Sequence, residues 1–187
     1  MSYKVTITDT HFYFLTGPLS NWHPSTFVVP EYEQGVLVDR IYNCNEQYMM
    51  ARKAEFFGDE ETKRLIMEVV VREGQTFTND IPDRQKKLGR AVRNFDPEKW
   101  TKEVACGFVL DGNMAKFSQN PDMKKYLMDT GDSILVEGAS YDKIWGVGLA
   151  WNDKRILDEA NWRGTNWLGH THMLTRTRFR EMETQTP

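Results

Sequence analysis

The stretch NCNEQYMMARKAEFFG, residues 43–58, decides how the rest of the chain is read, because a helix drawn through it puts an acid and a base where core residues belong. Asn45 is placed to cap the first turn through its side-chain oxygen, and Gly58 sits where a helix leaves through a left-handed residue. At about 100° per residue, Glu46, Met49, Met50, Lys53, Phe56 and Phe57 fall on one side, while Tyr48, Ala51, Arg52 and Glu55 fall on the other. The first side is the apolar one, and Glu46 and Lys53 stand near its middle. Burying such groups without partners costs on the order of several kcal/mol each. Seven residues at ~1.5 Å each separate their α-carbons by ~10 Å, long for a direct ion pair but suited to two side chains reaching for something between them. Taken alone, the helix fits a structural salt bridge as well as a catalytic pair.

Around this helix the chain is ordinary in bulk. Its 187 residues suit one domain, and 40% hydrophobic with 27% charged residues is the balance of a soluble globular protein. Aromatic residues reach 12%, with six tryptophans, enough to line a core and a ligand cleft. A net charge of −3 argues against a general nucleic-acid coat and leaves room for a local basic groove. Cys44 and Cys106 have no spacing that suggests zinc or a disulfide framework, which fits a reducing compartment. The opening MSYKVTITDT has no signal-peptide run, and no stretch approaches the ~18 apolar residues of a membrane span. The expectation is a cytoplasmic protein.

Along the chain, YKVTI, HFYFL and VLVDRIYNC (residues 36–44) read as strands. Between the last two lies the loop GPLSNWHPS, residues 17–25, where Ser20, Asn21 and Trp22 set hydrogen-bonding side chains beside an aromatic plate. That combination suits a sugar or a base, and equally an ordinary turn. Asp59 caps EETKRLIMEVVV, a helix follows from Pro82 to Val92, and Asp96-Pro97 opens a longer one carrying Trp100, Val104, Phe108 and Met114. Asn120-Pro121 repeats that opening before DMKKYLMDT, which Gly131 ends. DSILVEGA, from Asp132, reads as a buried strand continuing into SYDKIWGVGLAWND, and the chain closes with a helix after Gly164 that offers Leu168, Met173 and Leu174 to a core.

Some tempting motifs fail. Gly146 and Gly148 form a GxG, but position 151 is Trp, so the dinucleotide fingerprint is missing. His170 and His172, two apart on a helix, diverge by roughly 160° and make a poor zinc pair. Arg176, Arg178 and Arg180 read as a solvated helix end rather than a phosphate site.

Several blocks, in order, are more specific than any of these: PLSNWHPS (18–25), EQYMMARKAEFFGD (46–59), LGRAVRNFDPEKW (88–100), NMAKFSQNP (113–121), LMDTGDSILVEGASYDKIWGVGL (127–149) and WRGTNWLGHTHMLTRTR (162–178). Through them the chain resembles the NADAR family, the YbiA-like N-glycosidases associated with NAD and ADP-ribose chemistry. The resemblance implies an α+β, mainly helical fold: a single compact domain over residues 1–187, with a small sheet from the N-terminal third and the 132–138 strand. It implies hydrolysis of a bond between ribose C1 and a nitrogen base, as in ADP-ribosyl-guanine or a ribosylamino-pyrimidine phosphate of riboflavin synthesis. It implies no metal and no cofactor. The partners it implies are a small ribosylated or ADP-ribosylated substrate and, further, ADP-ribosylated nucleic acid, with no membrane. Glu46 and Lys53 match the family's functional Glu and Lys. Ser20, Asn21 and Trp22 are placed at the ribose or base, Trp100 and Trp145 as stacking walls or core, Asp142 and Gly146 near the ribose hydroxyls, and Arg90 at a phosphate. One segment departs from the shorter bacterial members: WNDKRILDEANW, residues 151–162, which bears on substrate choice.

Breaking a ribosyl C1–N bond builds positive charge on the sugar, so a carboxylate near C1 stabilises it or activates water while a second group assists the departing nitrogen. Glu46 suits the first role. Lys53 suits proton donation, attack on C1 as an amine, or the holding of a phosphate, the first two ahead of the third, since desolvation lowers a lysine pKa. The alternative function is a non-catalytic module that reads ADP-ribose or a nucleotide without cleaving it.

Overall fold

A computed structural model describes residues 2–33 and 35–185. In chain order its elements are β1 (Val5–Ile7), β2 (His11–Phe14), β3 (Phe27–Glu33), β4 (Val36–Tyr42), α1 (Asn45–Phe56), α2 (Glu60–Met67), α3 (Asp80–Arg90), α4 (Lys102–Gln119), α5 (Pro121–Met128), β5 (Ile134–Glu137) and α6 (Trp167–Gln185), with 3-10 turns at Lys154–Leu157 and Glu159–Asn161. The expected class holds: α+β and mainly helical, with a small sheet joining the first strands to the strand after Gly131. The backbone divides into two compact units, residues 24–120 and residues 1–23 with 121–187. Among the described residues no helix is long and apolar enough to cross a membrane.

In the 24–120 unit, α1 is the hub and packs against α2, α3 and α4. Because its neighbours cover several faces, every residue from Asn45 to Ala51 is buried and the expected single apolar stripe does not exist. Phe56, assigned to that stripe, is 42% exposed at the far end. The cap also differs from expectation. Cys44 stands extended at the N-cap with no side-chain bond to the first turn, and Asn45, already helical, sends its amide to Asn113 Oδ1 on α4 at 2.9 Å. A side chain used across a helix interface is unavailable to its own first turn.

The starts of α2 and α4 are set by side-chain acceptors. Asp59 caps α2 as expected, taking the Thr62 amide at 3.2 Å. That helix stops at Met67 rather than running through Val69–Val71, and the Val69 carbonyl instead accepts from Asn43 Nδ2 (2.9 Å), Gln85 Nε2 (3.0 Å) and Gln47 Nε2 (3.3 Å). Asp96-Pro97 makes a turn, with Asp96 accepting from the Glu98 amide at 2.9 Å, and Thr101 caps α4 five residues later than the sequence suggests. Trp100 therefore precedes α4. Strand β3, absent from the sequence reading, pairs antiparallel with β4 and places Pro30 opposite Asp39. A two-stranded ribbon tolerates that proline because a strand there can keep one edge unpaired.

In the other unit, β2 lies between β1, antiparallel, and β5, parallel, with His11 opposite Ile134 and Phe14 opposite Glu137. Tyr13, Val136, Val147, Leu149 and Ile156 form its core. Asn166, at φ 52°, gives its amide to the Leu135 carbonyl (2.9 Å) and accepts the Glu137 amide (3.0 Å), fixing the start of α6 against β5. The strand ends at Glu137 instead of continuing, because the chain folds back: the Val147 amide bonds Glu137 O at 3.0 Å and the Trp151 amide bonds Gly138 O at 2.9 Å. On α6, Leu168 is buried as expected whereas Leu174 is 47% exposed. Arg176 is not a solvated helix end. It is 6% exposed and donates to Thr130 Oγ1 (2.7 Å) and Ser133 O (3.0 Å), tying α6 to the turn before β5.

Candidate functional site

The two residues singled out from the 43–58 stretch share α1 but sit in different surroundings. Glu46, in the first turn, is 2% exposed. It is close enough to the Cys44 thiol for its charge to be felt there: burial pushes that thiol up to about 12, Glu46 adds to the rise, and Lys116 opposes it. Cys44 Sγ itself bonds Gln85 Oε1 at 3.1 Å.

Lys53, two turns on, is half-buried. Its Nζ donates to the Gly89 carbonyl at 2.9 Å and lies 4.1 Å from the Phe95 ring centre and 5.9 Å from that of Trp100. Burial, seconded by the nearby charge of Arg90, lowers its pKa below the ordinary 10.5. The structure thus gathers Lys53, Arg90 and Trp100 into one neighbourhood. Trp100 stacks on Phe108 at 5.7 Å with 19° between planes, and Phe56, Phe57 and Phe95 complete an aromatic cluster. Partly exposed rings beside cations suit a flat ligand carrying negative charge.

The remaining residues belong to the other unit. Ser20 and Asn21 are buried and Trp22 half-buried. Ser20 has turn work: its hydroxyl accepts the Trp22 amide at 3.2 Å, and its own amide donates to Gly17 O at 2.9 Å. Asp142 Oδ1 accepts the amides of Ile144 (3.0 Å) and Trp145 (2.8 Å), which rigidifies the loop after β5. Trp145 meets Trp167 edge-on at 5.6 Å. A Cβ on Gly146 would stand 2.8 Å from Glu137 O, so glycine is required there for backbone packing.

One residue escaped the sequence reading. Lys116 on α4 is 0% exposed, and burial pushes its pKa down to about 7. It lies in NMAKFSQNP, a block quoted only for family likeness. Its position three residues after Asn113 was available as a signal once α4 faces α1, because residues three apart share a helix face.

A NADAR domain model matches residues 11–180 and so runs through both units. The chain is 41% identical over 157 residues to N-glycosidase R617 of Acanthamoeba polyphaga mimivirus, covering 84% of each. It is 36% identical over 166 residues to Protein irg-1 of Caenorhabditis elegans, covering 84% of this chain and 73% of that one. In fold it is similar to the NMR structure of the Escherichia coli protein YbiA, with a TM-score of 0.69 at 21% identity over 98% of this chain and 93% of that one.

Proposed function

Because the chain belongs to the NADAR family, we propose that it is an N-glycosidase that hydrolyses the bond between ribose C1 and the nitrogen of a ribosylated base. The substrates that fit best are ADP-ribosyl-guanine, free or in nucleic acid, and a ribosylamino-pyrimidine phosphate. The observation that carries the reading is Glu46, a carboxylate 2% exposed on the same helix as a lysine whose ammonium is partly desolvated. A module that only reads a nucleotide gains nothing from holding a carboxylate out of water, whereas a ribosyl cation forming beside it is stabilised strongly in that environment.

In this reading Glu46 supports the cation and activates the attacking water, and Lys53 meets the charged part of the substrate. Trp100 offers a stacking wall and Arg90 a phosphate contact. Ser20, Asn21, Trp22, Asp142, Trp145 and Gly146 bind ribose and base. Cys44 and Cys106, neither of them in a disulfide, suit a cytoplasmic setting. Incubation with ADP-ribosyl-guanine and, separately, with the ribosylamino-pyrimidine phosphate tests the proposal. Release of ADP-ribose or ribose 5-phosphate is expected; tight binding without turnover of either would make the protein a reader instead.

A further inference from the structure

The lysine buried at the Glu46 end of α1 is Lys116, not Lys53. Asn45 and Asn113 join α1 to α4 at 2.9 Å. Gly112 lets the two helices approach so closely that a Cβ there would stand 2.1 Å from Asn45 Oδ1 and 2.6 Å from the Tyr48 ring. Lys116 follows one helical turn after Asn113, and both are fully buried. The Cys44 thiol registers Glu46 and Lys116 together, one carboxylate and one amine acting on the same sulfur with opposite sign. Lys53 is held at the opposite end of α1 by the Gly89 carbonyl and the Phe95 ring.

Resting on the N-glycosidase reading, we propose that Lys116 is the general acid that protonates the departing base nitrogen while Glu46 serves the ribosyl carbon. As the C1–N bond breaks, its electron pair goes to nitrogen, which takes a proton from the Lys116 ammonium. The oxygen of a water bonds to C1, and Glu46 accepts the proton that this water loses. Transfer of that proton from the carboxylic acid back to the amine restores both groups, so the sum is one water added and no other reactant consumed.

The chemistry suits the residue. A proton donor works best when its pKa lies near the operating pH, and burial brings Lys116 to about 7, where an ordinary lysine stands at 10.5. Lys53, more exposed and beside Arg90, is left to bind the charged part of the substrate.

The test follows hydrolysis of ADP-ribosyl-guanosine and of the ribosylamino-pyrimidine phosphate by the unaltered protein and by Lys116→Met, Lys116→Arg and Lys116→Ala. Loss of a general acid predicts a drop in kcat of roughly 100- to 10,000-fold in Met and Arg variants that still melt cooperatively. Arginine keeps the charge but cannot give up its proton. Added ethylamine should restore turnover to the alanine variant and leave the methionine variant unchanged, a rescue that a structural role does not produce. Retention of the normal rate by folded Lys116→Met overturns the proposal. Borohydride trapping of a sugar on Lys116 also overturns it, by making the amine a nucleophile. Failure of both Met and Arg variants to fold makes the lysine structural and overturns it too. If the unaltered protein cleaves neither probe, it is the N-glycosidase reading that fails.

Discussion

Lys53 Nζ donates to the carbonyl oxygen of Gly89 at 2.9 Å, bridging the third turn of α1 to the last turn of α3. The carbonyl end of a helix attracts a cation, and the face of Phe95, 4.1 Å away, adds a second neutral attraction. Both hold the ammonium in place without neutralising it, so a negatively charged ligand arriving there meets an intact positive charge.

The first prediction concerns this amine and the carboxylate at the other end of α1. Glu46→Gln should lower turnover of a ribosylated base by roughly 100-fold or more, the scale of acid–base assistance. Lys53→Ala should lower kcat/KM by removing the cation that the charged part of the substrate meets. Both variants should melt near the unaltered protein, because Gln keeps the shape of Glu46 and Lys53 is only half-buried. Rates beside melting curves decide the matter. Wild-type turnover in both variants would remove this helix from the mechanism.

The second prediction is a pH dependence. Asp59 accepts the Arg93 amide at 2.8 Å, the Arg93 side chain, and the Thr62 amide and hydroxyl at 3.2 and 2.7 Å. The hydrogen bonds from Arg93, side chain first, hold its carboxyl well below the ordinary 3.8, with Thr62 assisting. A carboxyl whose folded pKa is depressed contributes its full stability above the ordinary value and loses it as pH falls through the folded one. The melting temperature of Asp59→Asn should therefore fall short of the unaltered protein's near neutral pH, and the gap should close on acidification below about pH 4. A gap that stays constant down to pH ~2 would mean that the ionised form contributes nothing.

Local signals located the helices that local chemistry starts. Asp59 before an acidic first turn and Asn120-Pro121 both open helices where the sequence says. Asp96-Pro97 misled because a capping side chain is also a turn former, and here it bonds the Glu98 amide two residues on. Tertiary demands explain the rest. Asn45 was diverted from capping by Asn113, and α2 was cut short at a carbonyl that serves side chains from two other segments. Glu46 was legible as a polar residue among Met and Phe. Lys116 was not, since its burial arises from how α4 meets α1 and not from any pattern within NMAKFSQNP.

The third prediction tests the buried Arg176. Thr130→Val removes the hydroxyl that accepts from Arg176 Nη1 at 2.7 Å and leaves a guanidinium N–H buried without that acceptor. Such a loss costs about 1–3 kcal/mol, which in a chain of this size lowers the melting temperature by roughly 2–4 °C per kcal/mol. Thr130→Ser keeps the hydroxyl and should retain most of the stability. If valine and serine behave alike in thermal unfolding, the bond contributes nothing to holding α6 against the turn before β5.

The fourth prediction sets two glycine-to-alanine changes, both inside helices, against each other. Alanine is favoured over glycine in a helix by about 0.5–1 kcal/mol, so propensity alone predicts a gain at either site. At Gly107 on α4 a Cβ meets nothing within 4 Å, and Gly107→Ala should raise the melting temperature. At Gly169 on α6 the same carbon would stand 2.0 Å from the Leu135 carbonyl oxygen and 2.6 Å from the Asn166 amide group. Those atoms cannot yield singly, because Asn166 also bonds Leu135 O and the Glu137 amide. Helix and strand must separate, with overpacking costs of about 1–3 kcal/mol added to weakened hydrogen bonds at β5. Gly169→Ala should therefore lower the melting temperature while Gly107→Ala raises it. Shifts of the same sign would mean that α6 does not lie against β5 as closely as the backbone of Gly169 requires.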